Sequence, residues 1–316
     1  MADNGFGSKA SSRDFNIRAY YIRPDFKTAR GGSGAVELAS PPEYIEFSDP
    51  WDLLDFPIVN EGTAARVLTG ADIDPESLQR GRDGDLWVGD EFGPWILHFD
   101  AAGRLVEKPF GIDGVVSPNN PIPPGPVTQP NSRGIEGMGM TPNGRWLYVV
   151  LEGPTAGDPA DLRRVYEFDT RRSAFTDRWL PPYRVTSPEH MVADVQALGR
   201  NELVLIERDG GLGVNAVFRR VFSVDLRHAT GGAAPKAEVV DLAAVPDPDG
   251  VSLPPIHPGD VGLGDPFRVA CESIEALRVL SPRRLLLGCD NNFPNVGRNP
   301  ALADDTELIT VVVPRL

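Results

Sequence analysis

Residues 84–94 read GDLWVGDEFGP, an apolar run of strand length that ends in two acidic residues beside a Gly and a Pro. The same order of apolar strand, polar residue and turn residue recurs at GRWLYVVLEGP (144–154), NELVLIERDGG (201–211) and RRLLLGCDNNF (283–293). A second short segment precedes each of the four, at PESL (75–78), IEGM (135–138), VQAL (195–198) and IEAL (274–277). Four hairpins of one pattern are typical of β-propeller blades, because each blade is a small antiparallel sheet.

Further strands extend these hairpins. The segments WILHFDAAGRLVEKPF (95–110) and RVYEFDTRRSAFTDRW (164–179) each predict two more strands around a polar turn. A partial fifth copy opens the chain, since DNGFG (3–7) resembles DEFGP (90–94), and an alternating strand follows at 17–26. The repeat therefore extends over nearly the whole chain.

The repeats predict one all-β domain over residues 1–316, a β-propeller of five or six blades with long face loops. The face loops are the Pro-, Gly- and Asp-rich segments 111–132 and 243–267. The chain starts inside a blade, and a propeller closes by pairing its first and last strands. We therefore expect the natural N-terminus to lie further upstream, unless LITVVVPRL (308–316) closes the ring unaided.

The charge balance is strongly acidic. The 316 residues include 31 Lys and Arg against 45 Asp and Glu, a net charge of −14. Such a surface repels phosphate backbones and anionic lipid, so we expect no nucleic-acid partner and no membrane partner. Residues 1–12 show neither the basic nor the apolar segment of a signal peptide. We expect a monomer.

Acidic residues recur at equivalent positions of the repeats. The inner strands of a propeller surround its axis, so such residues converge on the central channel. Glu76, Glu136 and Glu275 share one position, and Gln196 is assigned to it in the remaining copy. The ends of the second strands supply the other acids, which are Asp3, Asp90, Glu91, Glu152, Glu207 or Asp209, and Asp290.

Carboxylates packed together cannot all stay ionised without a counter-charge. A divalent cation bound by oxygen ligands would supply that charge, and calcium is the favoured ion. The predicted metal ligands are Asp3, Asp90, Glu76, Glu275, Asp290 and Asn291. Two other interpretations stay open: the Asp and Asn residues serve as turn formers, or the metal only holds the blades together.

A bound metal can also serve catalysis, as a Lewis acid and by activating water. The predicted catalytic residues are Glu91, Glu136 and Glu152, with Glu91 or Glu152 as general base. An anionic substrate needs positive charge, and the predicted substrate-binding residues are Lys9, Arg133, Arg208 and Arg298. The alternative for these cations is pairing with neighbouring carboxylates. The sequence has no GxSxG, Walker A or HExxH motif, and His190 is either a channel residue or a structural one.

The two cysteines, Cys271 and Cys289, flank a predicted hairpin with a turn near 281–283. We expect them opposite each other on adjacent strands of the last blade, close enough for a disulfide. Two buried free thiols are the alternative. Two cysteines without CxxC spacing argue against a zinc site.

Several of these segments together resemble the phytase-like family, also described as esterase-like activity of phytase. They are DNGFGSK (3–9), LTGADIDPES (68–77), DLWVGDEFGPWILHFD (85–100), RGIEGMGMTPNGRWLYVVLEG (133–153), DNNFPNVGRNP (290–300) and DDTELITV (304–311). The resemblance implies a hydrolase of ester substrates and an exported protein. In that family the DNGFGSK-like block stands well inside the chain, which adds to the expectation of an upstream N-terminus.

These observations predict a metal-dependent hydrolase of a small anionic ester, with a phosphoester favoured, that works through a carboxylate-lined channel. A lactonase-like variant would keep the metal and cleave a different bond. The alternative from another class is a non-catalytic propeller that binds a ligand or a protein partner on its loop face. The acids at both repeat positions favour the hydrolase, because a scaffold needs no polar channel.

Overall fold

The computed structural model describes residues 9–316. This part of the chain contains one 3-10 turn, at Gly213–Asn215, and no helix of the length and apolarity that crossing a membrane requires. The remainder is strand and loop. The strands are β1 (Arg18–Tyr20), β2 (Ile22–Pro24), β3 (Val36–Leu38), β4 (Tyr44–Glu46), β5 (Pro75–Arg80), β6 (Leu86–Asp90), β7 (Trp95–Phe99), β8 (Phe110–Gly111), β9 (Ile135–Met140), β10 (Trp146–Leu151), β11 (Leu162–Arg163), β12 (Val165–Asp169), β13 (Ala174–Phe175), β14 (Tyr183–Arg184), β15 (Met191–Gly199), β16 (Glu202–Arg208), β17 (Arg219–Asp225), β18 (Lys236–Asp241), β19 (Ser273–Ser281), β20 (Arg284–Asp290) and β21 (Leu308–Val312).

Four antiparallel sheets form the blades of a β-propeller arrangement. Blade 1 is β5-β6-β7-β8, blade 2 is β9-β10-β12-β13, blade 3 is β15-β16-β17-β18, and blade 4 is β19-β20-β21. Three two-stranded sheets, β1-β4, β2-β3 and β11-β14, lie outside the blades. The all-β prediction is confirmed. The expected five or six blades are not confirmed, since residues 9–316 form four, and the fifth copy at 3–7 lies outside the described residues.

The first strand of each blade is its inner strand, and these strands lie side by side. β5 contacts β9, β9 contacts β15, and β15 contacts β19. Gly137 lies against Val195 and Gly139 against Ala197, so β9 and β15 run in the same direction. A Cβ at Gly139 would lie 2.7 Å from the backbone nitrogen of Ala197, so this close approach requires glycine.

The shared direction gives the propeller two distinct ends. We call the end where the four inner strands begin the upper end. The lower end holds the four turns that join each inner strand to its neighbour, at residues 81–85, 141–145, 200–201 and 282–283. Residues at equivalent positions of the four repeats therefore lie at the same level of the channel, as the sequence pattern predicted.

Apolar side chains fill the spaces between neighbouring sheets. Fully burying one large aliphatic or aromatic side chain contributes about 1.5–3 kcal/mol, so these layers hold the blades together. Ile17 and Phe47, from the segment before blade 1, cover the outer face of that blade, where the ring centres of Phe47 and Phe99 are 4.8 Å apart. The layers between blades include Trp87 and Phe168 (blades 1 and 2), Tyr148 and Val195 (blades 2 and 3), and Val221 and Ile274 (blades 3 and 4).

The two terminal segments differ from the sequence expectation. The alternating run at 17–26 forms two short strands, β1 and β2, rather than one, and they pair with β4 and β3. The chain makes this change at Tyr21, between the two strands. Strand β21 pairs with β20 and forms the third strand of blade 4.

A disulfide joins Cys271 and Cys289, whose Cα atoms are 6.2 Å apart. Cys289 lies in β20 opposite Ile274, and Cys271 lies two residues before β19 begins. The predicted pairing is confirmed, although one cysteine precedes its strand. The bridge therefore fixes the start of β19, the inner strand of blade 4.

We expect that removing this disulfide lowers the free energy of unfolding. The bond closes a loop with a sequence separation of 18, for which chain entropy predicts a loss of about 3 kcal/mol. Urea denaturation of the Cys271→Ala/Cys289→Ala double variant measures the loss. In the parent, a thiol reductant should lower the midpoint, and in the double variant it should have no effect. Equal midpoints for the oxidised parent and the double variant would contradict this expectation.

Candidate functional site

β-Bulges lie near the upper end of all four inner strands. Near this end of each strand one residue has no partner in the second strand, and the register shifts there. A bulge leaves its residue outside the ladder and re-aims the side chain. The bulged residues are Glu76, Glu136, Ala193 and Glu275. Three blades thus present a Glu at the same place, and blade 3 presents an Ala.

The second strands contribute the adjoining positions. In each second strand, one residue pairs with the inner-strand residue that directly precedes the bulge; these are Asp90, Leu151, Glu207 and Cys289. The residues that follow them in the chain are Glu91, Glu152, Arg208 and Asp290. Blade 3 therefore has Arg208 where blades 1 and 2 have Glu. The assignment of Gln196 to the Glu position was wrong: Gln196 pairs regularly with Val204, three residues after the bulge.

The carboxylates of blades 1 and 2 form two overlapping groups. Oxygen atoms of Asp74, Glu76 and Glu91 lie within 4.8 Å of one another, and so do oxygen atoms of Glu91, Glu136 and Glu152. Glu91 belongs to both groups. Every ligand atom in this cluster is a carboxylate oxygen, the donor that hard divalent cations such as Ca²⁺ prefer.

Burial and mutual repulsion favour the neutral form of these carboxyl groups when no cation is bound. Burial, followed by the charges of Asp74 and Glu152, raises the pKa of Glu91 to about 9. The pKa values of Glu76 and Glu136 are raised well above their ordinary range, also mainly by burial and then by neighbouring carboxylates. Burial raises the pKa of Glu152 to about 7, although the charge of Arg133 opposes this change. A bound cation would reverse these effects.

Glu136 is the group whose surroundings most clearly fit a cation. Its side chain is buried, with 6 % of the residue exposed. Within residues 9–316 it accepts no hydrogen bond from the protein and has no Lys, Arg or His nitrogen within 4.0 Å. A buried carboxylate without a donor is unfavourable unless something else compensates it. The residues present therefore fit a divalent cation.

Arg208 and Arg133 bring positive charge to the same cluster. The Nη2 of Arg208 lies 2.6 Å from Oε1 of Glu275, which also accepts the hydroxyl of Ser273 at 2.6 Å. The Nη1 of Arg133 lies 3.2 Å from Oε2 of Glu152. Since the Arg133 side chain is 37 % exposed, it stands where the cluster meets solvent.

Other predicted site residues lie beside the cluster and form local hydrogen bonds. Asp90 is fully buried and accepts the N–H groups of Asp74 and Gly93 at 2.8 and 2.6 Å. Asp290 and Asn291 each accept a backbone N–H two residues on, at 3.2 Å. These are the contacts of turn formers, so a role of these three residues as metal ligands stays a prediction. Asp3 lies outside the described residues.

Two of the basic residues predicted to bind substrate, Lys9 and Arg298, do not contact the clustered Glu76, Glu91, Glu136 and Glu152. The Nζ of Lys9 donates to the carbonyl of Asn119 at 2.6 Å and lies 4.1 Å from the ring centre of Phe92. Burial lowers the pKa of Lys9, and the nearby charge of Asp90 opposes this. Arg298 binds both oxygens of Glu307 and so follows the pairing alternative.

His190 and Glu207 belong to a separate buried network in blade 3. The Nδ1 of His190 is 2.9 Å from Glu207, and the imidazole lies 4.0 Å from the Phe218 ring. Glu207 also accepts a hydrogen bond from Lys236 at 2.6 Å and one from the Tyr183 hydroxyl. The structural interpretation of His190 therefore agrees with its contacts.

Asp74 is a cluster member that the sequence reasoning missed. It stands two residues before Glu76, and alternate residues of an extended chain share a face. This spacing was the available signal. Asp74 was overlooked because it lies in the connection that leads into β5 and not in a repeated strand.

Comparison with solved structures gives matches of low sequence identity. PorZ, a surface component of the type-IX secretion system of Porphyromonas gingivalis, matches with a TM-score of 0.40 and 12 % identity over 86 % of this chain and 30 % of that chain. A Lactobacillus plantarum protein matches with a TM-score of 0.35 and 12 % identity over 95 % and 66 %. A luciferin-regenerating enzyme matches with a TM-score of 0.40 and 8 % identity over 95 % and 97 %. Because these TM-scores are low, we infer neither fold nor function from the three matches.

Comparison with curated sequences gives a relative from Arthroderma benhamiae, named an uncharacterized secreted protein, that is 27 % identical. The match covers 36 % of this chain and 27 % of that relative's length. A family model, by contrast, matches residues 1–293. On this match the chain belongs to the phytase-like family, described as esterase-like activity of phytase.

Proposed function

We propose that the protein is a divalent-metal-dependent hydrolase of small anionic esters, with phosphoesters favoured and calcium as the metal. The observation that supports this most is the donorless, buried carboxylate of Glu136 within a cluster of carboxylates positioned by bulges. The family description, esterase-like activity of phytase, supports ester hydrolysis. A non-catalytic propeller that binds a partner on its loop face gains no such support.

The two carboxylate groups that share Glu91 would hold the cation. Glu91 offers an oxygen to both groups, Asp74 and Glu76 complete one of them, and Glu136 belongs to the other beside Glu152. When bound, a divalent cation polarises the ester oxygen that faces it and allows the surrounding carboxyls to ionise. Glu275 is already paired with Arg208, so we assign it the positioning of that arginine rather than metal binding.

Blade 3 would form the side of the site that receives the anionic group. There Arg208 replaces a Glu and Ala193 replaces another, which removes two negative charges and adds a positive one. A guanidinium binds two oxygens of a phosphate or carboxylate at once. Arg133, at the solvent edge, is the second candidate for this contact.

Glu152 is our candidate for the general base. Its carboxylate pairs with the partly exposed Arg133 and lies in the group with Glu91 and Glu136, next to the proposed cation rather than among Asp74 and Glu76. An ionised carboxylate in this place can accept a proton from the attacking water, a role typically worth about 10²–10⁴-fold in rate.

We also propose that the protein is exported. The disulfide between Cys271 and Cys289 suits an oxidising compartment. The relative from Arthroderma benhamiae is named a secreted protein.

We expect calcium to stabilise the fold. A ligand that binds only the native state raises the free energy of unfolding by about 2.7 kcal/mol at roughly 100 times its dissociation constant. The melting midpoint should fall in EDTA and recover when excess Ca²⁺ is added. Glu136→Gln should abolish this response, whereas Glu43→Gln, an exposed acid, should keep it. A parent midpoint that is equal in EDTA and in Ca²⁺ would remove the metal from the proposal.

Without metal, stability should decrease as pH rises. The native pKa of Glu152 is about 7 against an ordinary value of 4.5, so the unfolded state loses its proton first. A pKa that differs by one between the folded and unfolded states corresponds to about 1.4 kcal/mol, so Glu152 alone would lower the free energy of unfolding by about 3 kcal/mol between its two pKa values. Glu91 extends the decline toward its pKa of about 9. Urea denaturation in EDTA at several pH values measures the slope, and a slope of zero or of opposite sign would refute this interpretation of the cluster.

Substitution of Glu136 or of Glu152 should remove activity without unfolding the protein. Glu136→Gln and Glu152→Gln keep the shape and delete the charge, so we expect losses of at least about 100-fold in kcat. A panel of generic phosphoesters and carboxyl esters, assayed with and without chelator, measures the loss, with Glu43→Gln as control. Wild-type rates in both variants on every substrate that the parent cleaves would place the active site elsewhere.

A further inference from the structure

Each of the four turns at the lower end carries an arginine. These are Arg82 between β5 and β6, Arg145 between β9 and β10, Arg200 between β15 and β16, and Arg283 between β19 and β20. The inner strands run in the same direction, so these arginines surround the lower mouth of the channel. The acidic cluster lies at the opposite end of the same strands.

The arginines of neighbouring turns are physically continuous. The side chain of Arg82 lies against Gly144 in the next turn. The guanidinium groups of Arg145 and Arg200 both lie over the Trp146 ring, at 4.4 and 4.1 Å from its centre. Three of the four turns therefore join into one arc of positive charge.

Cations outnumber their acidic partners at this end. Buried Glu167 is shared by Arg178 and Arg200. Buried Asp169 is shared by Arg145 and, at 4.0 Å, Arg172. Four further arginines have no carboxylate oxygen within 4.0 Å among residues 9–316, namely Arg80, Arg82, Arg283 and Arg284. The four turns together carry four arginines and two carboxylates, Asp83 and Asp85, a net charge of +2, although the whole chain carries −14.

Two exposed indoles lie beside arginines at this end. Trp179 is 71 % exposed and follows Arg178, whose guanidinium binds the carbonyl of Arg200 and the side chain of Asn201 in a lower turn. Trp51 is 51 % exposed and lies against Arg104, in the turn after β7 that also faces this end. Arg together with exposed Trp suits the headgroup layer of a membrane, where indole rings concentrate.

We propose that the lower end binds the anionic surface of a lipid membrane. The arginines would attract the headgroups, and Trp51 and Trp179 would enter the interfacial layer. The acidic upper end is repelled by the same surface, so the carboxylate cluster would face away from the membrane. The net charge predicted no membrane partner because it averages two ends of opposite sign. Anionic lipid is favoured over a soluble polyanion because exposed indoles gain nothing from the latter.

Vesicle sedimentation with the full chain tests the proposal. The protein should bind phosphatidylcholine vesicles that contain about 30 % phosphatidylglycerol, bind pure phosphatidylcholine far less, and dissociate when salt is raised from about 0.05 to 0.5 M. Each arginine near such a surface contributes about fivefold to the partition coefficient, so Arg82→Glu/Arg283→Glu should lose at least about 25-fold. Trp179→Ser should weaken binding and leave the salt dependence unchanged.

The matched control is Arg23→Glu/Arg30→Glu. These residues are exposed, and their hairpin contacts the connection between β18 and β19 at the upper end through Lys27. The control carries the same charge change and should bind vesicles like the parent, and melting curves verify that both double variants fold. Equal losses in both double variants would overturn the proposal, because the effect would then follow net charge alone. Binding to soluble polyglutamate without binding to anionic vesicles would overturn it in favour of an acidic protein partner.

Discussion

The repulsion among buried carboxylates at the upper end is the constraint on which the rest of the structure depends. The β-bulges place Glu76, Glu136 and Glu275 on three blades at one level, and the second strands add Glu91 and Glu152. Ionised together in a buried site, these groups would oppose the packing of the blades that carry them. The fold can keep them only if they stay neutral or receive positive charge. Arg208 supplies part of that charge through Glu275, and we assign the remainder to a metal ion.

This arrangement also explains why the fourth position differs. In blade 3 the bulge holds Ala193, and Arg208 takes the place that Glu91 and Glu152 have in blades 1 and 2. A ring with Glu at every position would bind a cation and repel an anionic substrate. With one blade reversed in charge, the proposed cation and the proposed anionic substrate would each have a side of the channel. The same propeller separates charge along its axis, since the acids lie at one end and the turn arginines at the other.

The sequence predicted the features that repeat and missed those that depend on register. The hairpins, the all-β fold and the level of Glu76, Glu136 and Glu275 follow from a pattern that recurs four times. Gln196 was misassigned because blade 3 has an apolar residue, Ala193, at the bulge, so no carboxylate marks that position in the sequence. Asp74 was missed because it lies in a connection rather than in a repeated strand. The five or six blades are not confirmed, since the run at 17–26 pairs into two small sheets outside the blades rather than into a fifth blade. The pairing of Arg298 with Glu307 depends on a loop contact that no repeat encodes.

Calorimetric titration of Ca²⁺ into the metal-free protein, in two buffers of different ionisation enthalpy at about pH 7, tests the central claim most directly. Carboxyl groups that are neutral in the empty site must release protons when a cation binds, and the buffers take up those protons with different heats. With the pKa of Glu91 at about 9 and those of Glu76 and Glu136 well above their ordinary range, we predict the release of at least one proton per bound ion. Binding with the same heat in both buffers, or no binding at all, would contradict this claim.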